Sequence, residues 1–351
     1  MNSEGTGCID WSDKAGANET ADAEAQWCYL GLNQGVAMKR EMSYRALVSS
    51  ALVAAVWVTC AVGLVAQGPA ENPAEACAAK NQTDAATVGQ YVFTAYQSSD
   101  GACLQVTSGG KVLYSHSVDS FETFTLGQKE DAQDDIAAIA NGTDVTGRGQ
   151  PDMIVSLFTG GAHCCSIHYV FELGPQFKLL ATLDDTNDDL AHFEREADGR
   201  YDYVTADWTF GYWPTCFACS PSELVTLRWM GDANGGGFHL AMDKMQTPAP
   251  TAAQWNKELS AAQKDVDSSD ADYIGRTMWQ TVLDLIYTGH SDLAWKFVDA
   301  LGPKAQQSPL PTLGDFCGLL KQDTYWPDLQ PTLVDVPAAC ANAPLKPSNG
   351  G

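Results

Sequence analysis

Short runs of β-branched and aromatic residues, separated by clusters of Gly, Asn and Asp, fill the chain from residue 91 to about residue 243. Such runs, interrupted by turn-forming residues, are typical of antiparallel β-strands. The pattern therefore predicts a β-rich domain over residues 88–245. The runs that carry this prediction are residues 91–96, 111–114, 153–158, 167–171 and 223–229.

The hydrophobic period changes after the Pro-containing residues 246–250. Thr251 with Gln254 matches a helix capping box, in which two side chains satisfy free backbone N–H groups at the start of a helix. Hydrophobic residues then recur at helical spacing until Gly289, a typical helix-ending residue. The expected fold class is therefore α+β, with an antiparallel β-rich domain followed by a small α-helical domain over residues 251–330.

The two ends of the chain differ from these domains. Residues 331–351 are rich in Pro and Ala and are predicted to be an irregular tail. Residues 1–37 are acidic and Gly-rich and show no apolar periodicity. They are interpreted either as a disordered leader or as a mis-assigned start, with the true start at Met38 or Met42.

Residues 38–70 have the features of a targeting segment. Basic residues come first, and the uncharged apolar residues 46–65 follow them, as in the n-region and h-region of a signal peptide. Twenty apolar or small residues are also long enough to span a bilayer, so an uncleaved N-terminal membrane anchor is the alternative. Both interpretations export the bulk of the chain to the periplasm, the cell surface or the medium.

The composition of the chain limits the kinds of partner that the protein can bind. The chain carries 44 acidic and 20 basic residues, for a net charge of −24. Phosphate groups would be repelled by such a surface, which excludes nucleic acid as a partner. With 45% hydrophobic and 18% charged residues, the chain can bury sizeable cores, so disorder is excluded as its main state. Contact with a membrane is expected only through residues 38–70.

Cysteine usage agrees with export. Of the 11 cysteines, Cys8, Cys28 and Cys60 lie before or within the apolar run, which leaves eight beyond it. An even number in an oxidising compartment favours four disulfides. The candidate disulfide cysteines are Cys77 with Cys103, Cys317 with Cys340, and a middle group of Cys164, Cys165, Cys216 and Cys219.

The middle group has three interpretations. Three thiolates and the imidazole of His163 would make a closed tetrahedral zinc site. In an exported protein the same cysteines are oxidised, so disulfides between the two pairs are favoured over zinc. A direct bond between Cys164 and Cys165 would be strained. A catalytic thiolate beside His163 or His168 would need an unpaired cysteine, which the even count does not favour.

Residues 144–152 read Asp-Val-Thr-Gly-Arg-Gly-Gln-Pro-Asp and run into an apolar segment. They resemble the FG-GAP or VCBS repeat of integrin-like β-propellers, in which an Asp-rich calcium loop leads into a strand. Asp144 and Asp152 match the outer acids of the repeat, and Thr146 fits the position between them. Arg148 stands where the family places a calcium ligand. Because Arg cannot bind calcium, we expect an ion pair between Arg148 and an aspartate of the loop.

Two further features carry this resemblance. A weaker second copy of the loop runs over residues 194–202, with Asp198, Gly199 and Asp202 in the matching positions. The Gly-Gly-Ala-His-Cys-Cys turn at residues 160–165 is similar to one in exported bacterial proteins that share such loops and have no assigned activity. The resemblance therefore implies FG-GAP-like loops in the β-rich domain. Two short units are far fewer than a closed propeller needs.

Calcium is the one cofactor that these loops suggest. It takes about six to eight oxygen ligands, and a loop with alternating acids supplies several of them. A second alternation of this kind lies within residues 183–189, without the glycine that such loops favour. A solvated acidic hairpin loop is the alternative. The candidate calcium ligands are Asp144, Thr146, Asp152, Asp184, Thr186 and Asp188.

An aromatic-rich segment, residues 207–214, supplies the first candidate binding residues. Exposed Trp and Tyr side chains bind carbohydrates or proteins through stacking and burial. The alternative is a long connection whose rings cover a disulfide-linked core. The candidate binding residues are His163, Trp208, Tyr212 and Trp213.

The sequence thus predicts an exported, non-catalytic binding or interaction protein of the bacterial envelope, with a protein or carbohydrate ligand. The sequence motifs of nucleophile-elbow hydrolases, zinc proteases, phosphate loops and dinucleotide sites do not occur in it, which argues against an enzyme. The competing class is a secreted hydrolase with an acidic or metal-dependent site. Its paired carboxylates would come from Asp184, Asp185, Glu194 and Asp202. A third interpretation is an anchored structural protein of the envelope.

Overall fold

All twelve described strands lie in three antiparallel sheets of four strands each. The computed structural model describes residue 77 and residues 80–119, 121–160, 166–188, 190–213, 216–231, 236–267, 275–307 and 310–344. These residues belong to one compact unit, Ala70–Gly351. Helices follow the last strand, so the predicted α+β class is confirmed.

The first sheet is a meander in which each strand pairs with the next. Gly109 and Gly110 form one of its two-residue turns with φ values of 55° and 77°. Tight hairpin turns need positive φ at both central positions, which only glycine adopts without strain. The strands are β1 (Asn81–Val88), β2 (Tyr91–Ser98), β3 (Gly101–Ser108) and β4 (Lys111–Val118).

The second and third sheets contain the remaining strands, and each again follows chain order. The second sheet consists of β5 (Thr123–Leu126), β6 (Asp152–Phe158), β7 (Ser166–Leu173) and β8 (Phe177–Asp184). The third sheet consists of β9 (His192–Arg195), β10 (Tyr201–Asp207), β11 (Glu223–Trp229) and β12 (Phe238–Leu240). The loop of residues 144–152 leads directly into β6, as its sequence predicts.

Seven α-helices are described after the third sheet. The capping box predicted at Thr251 is present, because the Gln254 side chain accepts from the Thr251 N–H and the Thr251 hydroxyl accepts from the Gln254 N–H. The helices are α1 (Met242–Met245), α2 (Ala252–Asp267), α3 (Arg276–Tyr287), α4 (Ser291–Ala300), α5 (Leu313–Leu320), α6 (Trp326–Leu329) and α7 (Ala338–Ala341).

Two hydrophobic cores meet at the second sheet. One face of this sheet, with Val155 and Phe171, packs against the first sheet. The opposite face, with Ile154 and Val170, packs into a core that also contains residues of the third sheet and the helices. Strands β6 and β7 are therefore buried on both faces, which explains why their sequences are nearly continuous apolar runs.

Two of the predicted disulfides are present. Cys77 on the approach to β1 is bonded to Cys103 on β3, and Cys317 on α5 is bonded to Cys340 on α7. The described chain contains no helix that is both long and apolar enough to cross a bilayer. The leader predicted at residues 1–37 and the targeting segment predicted at residues 38–70 both lie outside the described residues.

A buried ion pair fixes the register of the third sheet. Asp202 on β10 accepts two hydrogen bonds of 2.6 Å from Arg228 on β11, and both side chains are shielded from solvent. The exposed Asp243 also contacts Arg228, at 3.2 Å. This planar two-bond geometry is the strongest way in which a carboxylate binds Arg. The second FG-GAP-like loop thus ends in a structural aspartate.

We expect Asp202→Ala to lower the free energy of unfolding by about 3 kcal/mol, because the Arg228 charge then loses its buried partner. Asp243 would compensate only in part. Urea denaturation measures the loss. The matched control is Asp198→Ala in the same hairpin, which removes an exposed partner of Arg200 and should leave the midpoint nearly unchanged. Equal losses in both variants would contradict a special role for the buried pair.

Candidate functional site

The aromatic segment does not form one exposed face. The Trp208 ring stacks on Phe217 with 4.7 Å between centroids, and Tyr212 lies against the same ring at 5.3 Å. Trp213 packs against Trp279, which is fully buried in the larger core. Only Tyr212 of the three predicted residues is largely exposed, at 63%. These contacts are those of rings that cover a core.

The four cysteines of the predicted middle group lie only partly within the described residues. His163, Cys164 and Cys165 lie outside the described residues. Cys219 is buried at the end of a short 3-10 helix, and Cys216 is exposed and has no disulfide to another described residue. The disulfides predicted between the two cysteine pairs therefore stay a prediction.

The FG-GAP-like loop binds its own backbone. Asp144 accepts from the backbone N–H groups of Arg148 and Gly149, at 3.0 and 2.7 Å. Asp152 accepts from both the N–H and the hydroxyl of Thr146, at 3.0 and 2.8 Å. The outer acids of the motif thus stabilise the turn as caps, in the way that Asp side chains do in Asx turns.

Arg148 has a different partner from the one expected. Its guanidinium donates to Glu172 on β7, at 2.7 Å, instead of pairing with an aspartate of the loop. The guanidinium also lies 5.4 Å from the centroid of the Trp229 ring, in cation–π range. Glu172 stands opposite Asp152 in the β6–β7 register. Arg148 therefore fastens the loop to the second and third sheets.

Asp152 keeps one carboxylate oxygen free of protein partners. Its Oδ1 atom is buried without a hydrogen bond among the described residues. Asp152 lines an internal cavity of about 10 Å³, which is large enough for one water molecule. Burial, and less strongly the charge of Asp144, raises the pKa of Asp152 to about 6. A bound water would satisfy the free oxygen.

The aspartates of the second acidic loop also accept hydrogen bonds from nearby protein groups. Asp184 accepts from the Thr186 N–H at 3.0 Å, and Asp188 accepts from the Leu190 N–H and from the Thr205 hydroxyl. Burial raises the pKa of Asp188. Among the described residues no group of three or more His, Cys, Asp or Glu side chains is arranged to hold a metal ion. Calcium therefore stays a prediction from sequence.

A cleft of about 370 Å³ opens between strand β8, strand β12 and helix α6. Its volume lies in the range of small-molecule sites. We call it the β8–β12 cleft. It is lined by Ala181, Thr182, Leu183, Asp184, Asp185, Tyr203, Leu227, Gly237, Phe238, His239, Thr324, Tyr325, Pro327 and Asp328.

Asp185 anchors one side of the cleft through a saturated hydrogen-bond network. Its Oδ2 atom accepts from the Tyr203 hydroxyl at 2.7 Å and from His168 Nδ1 at 2.8 Å. Its Oδ1 atom accepts from the Thr205 hydroxyl at 3.0 Å. Asp185 is only 2% exposed, and burial with the nearby Asp185 charge raises the pKa of Tyr203 well above its usual value. The network holds the loop after β8 against β10.

A hydrogen-bonded pair of a histidine and an aspartate lines another side of the β8–β12 cleft. His239 Nδ1 lies 2.9 Å from Asp328 Oδ1, and Asp328 Oδ2 accepts from the Leu240 N–H at 3.0 Å. A carboxylate only accepts, so Nδ1 of His239 carries a proton, and in the neutral imidazole Nε2 presents a lone pair. Nε2 has no hydrogen-bond partner among the described residues. The imidazole side chain is 30% exposed, and His239 lines the cleft.

Sequence reasoning found only part of this site. It named Asp184 and Asp185, but not His239, Tyr325 or Asp328. The two members of the dyad are 89 residues apart. Neither lies in a sequence motif for catalysis or binding. Their partnership arises only when α6 packs against β12, so no local signal in the sequence could have revealed it.

Comparison of this chain with protein-family models, with curated proteins and with solved structures finds no match in any of the three. The resemblance to FG-GAP repeats therefore rests on the loop residues alone. The arrangement of side chains around the β8–β12 cleft is the observation from which a function is inferred.

Proposed function

We propose that this protein is an exported, non-catalytic binding protein that takes a small carbohydrate in the β8–β12 cleft. The observation that carries the proposal is the lining of the cleft, where aromatic residues and carboxylates occur together. Aromatic rings cover the apolar faces of a sugar, and carboxylates accept hydrogen bonds from its hydroxyl groups. This combination replaces the Trp208–Trp213 segment as the expected binding surface.

The polar groups of the cleft are held in fixed positions, which supports a preformed site. Asp185 and Asp328 use their oxygens to bind neighbouring protein groups, so their orientations are set before any ligand arrives. Asp184 is exposed, with Oδ1 engaged by the Thr186 N–H. Rigid positions reduce the entropy lost on binding. Asp184 is the acceptor that we assign to the ligand.

The disulfides, the N-terminal segment and the net charge of the chain support export. Two disulfides join described cysteines, and such bonds persist in oxidising compartments. The basic and apolar residues 38–65 supply an export signal in the proposal. The strongly acidic composition, with a net charge of −24, keeps an exported protein soluble.

We expect a saccharide ligand to bind Asp184→Asn about tenfold more weakly than the unaltered protein, because a neutral amide accepts a hydrogen bond less strongly than a carboxylate. Saturation-transfer NMR with a panel of neutral mono- and disaccharides identifies the ligand, and calorimetric titration measures its Kd. Asn retains an oxygen for the Thr186 N–H, so the loop should keep its conformation.

Asp198→Asn is the matched control, since Asp198 is also an exposed turn aspartate whose Oδ1 accepts a backbone N–H. It lies outside the cleft lining and should leave Kd unchanged. Absence of binding to every saccharide at millimolar concentration would refute the carbohydrate proposal. Equal weakening in both variants would refute the assignment of Asp184.

The His239–Asp328 dyad favours a second candidate function, a hydrolase. A histidine whose Nδ1 is held by a carboxylate is the arrangement of a general base. In such a reaction, Nε2 removes a proton from a water molecule while the water oxygen adds to an ester carbonyl carbon. The tetrahedral intermediate then expels the alkoxide or phenoxide, which leaves with the electron pair of the broken C–O bond, and the imidazolium gives its proton back to this leaving group or to solvent.

For the hydrolase candidate we expect His239→Ala to reduce hydrolysis of p-nitrophenyl acetate at least 100-fold, the scale of general base catalysis. Release of p-nitrophenolate is followed by absorbance. His192→Ala removes a histidine that is bonded to the Leu190 carbonyl and lies outside the cleft lining, and it should retain the rate. A rate equal to that of buffer, or equal losses in both variants, would eliminate this candidate.

A further inference from the structure

Three buried side chains from separate elements meet at one phenol. The Tyr287 hydroxyl at the end of α3 lies 2.9 Å from Asp207 Oδ2 and 2.7 Å from Asp323 Oδ2. Asp207 ends strand β10, and Asp323 precedes helix α6. The exposed fractions of Asp207, Asp323 and Tyr287 are 3%, 5% and 0%. Water therefore has little access to any of them.

With both carboxyl groups ionised, the trio has a single hydrogen for its two short contacts. A phenol donates one hydrogen and an ionised carboxylate donates none. The remaining oxygens are already used, since Asp207 Oδ1 accepts from the Thr209 N–H and Asp323 Oδ1 from the Tyr325 N–H. One phenolic hydrogen makes a full hydrogen bond to only one of the two carboxylates, so the second contact is strong only where a carboxyl group is protonated. One additional proton would complete the hydrogen bonds of the trio.

The electrostatic surroundings favour retention of that proton. Burial, followed by the charge of Asp207, raises the pKa of Asp323 to about 8. Burial and the two neighbouring carboxylates raise the pKa of Tyr287 as well. Burial also raises the pKa of Glu223, to about 10, so Glu223 stays neutral where Asp323 titrates. The titratable groups around the trio are Asp185, Asp188, Tyr203, Glu223, Asp284 and Tyr325.

All of these surrounding groups are acids or phenols. When the proton leaves, Asp207 and Asp323 carry two negative charges beside one phenolic hydrogen in a dry environment. Like charges this close repel strongly where water cannot screen them. The contact between strand β10 and the chain before α6 then changes from attractive to repulsive.

The trio of Asp207, Tyr287 and Asp323 anchors one end of a segment that lines the β8–β12 cleft. We call residues 323–328 the cleft segment. Asp323 fastens its first residue to β10 and α3, and Asp328 fastens its last residue to β12. Thr324, Tyr325 and Pro327 lie between these two attachments and line the cleft. Release of Asp323 frees one end of the segment while the other stays bound.

We propose that the Asp207–Tyr287–Asp323 contact is a proton-operated latch, which holds the cleft segment closed while one carboxyl is protonated and releases it when that proton is lost. The latch does not depend on which ligand the cleft takes or on whether the site is catalytic. It makes access to the cleft greater in alkaline than in acidic solution.

The direction of the pH effect follows from linkage. Asp323 in the open segment is solvated and has the ordinary carboxyl pKa of about 4. In the closed segment its pKa is higher, so the stabilisation is complete below about pH 4 and is lost as pH rises through about 8. Opening releases one proton and is favoured by alkali.

Hydrogen–deuterium exchange of the protein at pH 6 and pH 9 tests the latch. After correction for the intrinsic pH dependence of exchange, we expect peptides that span residues 321–333 to open at least tenfold more at pH 9, because one proton is released. Peptides from β3 in the other core should show no such change. Asp323→Asn has no carboxyl to ionise, and we expect it to abolish the difference.

Asp207→Asn neutralises the other member of the pair and should have the same effect, which keeps the test available if Asp323→Asn does not fold. The control is Asp292→Asn, which removes an aspartate paired with Lys296 on α4 and should retain the pH response. Equal protection at both pH values in the unaltered protein would overturn the latch. So would a tenfold response that persists in both variants, or an equal opening of β3, which indicates global unfolding.

Discussion

Burial of the two central strands of the second sheet, β6 and β7, on both faces is the constraint on which the other parts depend. Val155 and Phe171 face the first sheet, whereas Ile154 and Val170 face the third sheet and the helices. Strands without a solvent face tolerate no polar side chain unless it is paired, as His168 on β7 is with Asp185. The loop before β6 and the loop after β8 supply aspartates at the ends of this sheet, and the loop after β8 places Asp185 against β10 of the third sheet.

The acidic character of the chain has two different consequences. On the surface it provides charge and solubility. Inside, each carboxylate must find a donor, because a buried, unpaired charge costs several kcal/mol. Asp185 binds two hydroxyls and an imidazole, and Asp202 binds Arg228. Besides one backbone N–H each, Asp207 and Asp323 share the hydroxyl of Tyr287, and in the proposed latch a proton serves in place of a cation. The latch would connect the cleft segment to the pH of the solution.

The loop of residues 144–152, which resembles an FG-GAP loop, is stabilised without a cation among its described contacts. Asp144 and Asp152 occupy the outer positions, but they accept from backbone and hydroxyl groups of the loop itself. Arg148 brings its own positive charge to the place of a ligand and forms an ion pair with Glu172. Asp144 and Asp152 therefore stabilise the turn itself, and Arg148 attaches the turn to the sheets. The local sequence predicted the turn and the strand after it, but not the partner of the arginine.

The sequence by itself predicted the β-rich and helical regions, the capping box at Thr251 and, as candidates, the two short-range disulfides, because periodicity and capping are local and these cysteines are 26 and 23 residues apart. Only the tertiary structure decided where the site lies. The Tyr287 hydroxyl meets an aspartate 80 residues away, and His239 meets one 89 residues away. Such pairs depend on which elements pack together, and that choice is made by the summed burial of two cores rather than by the neighbours of any residue along the chain.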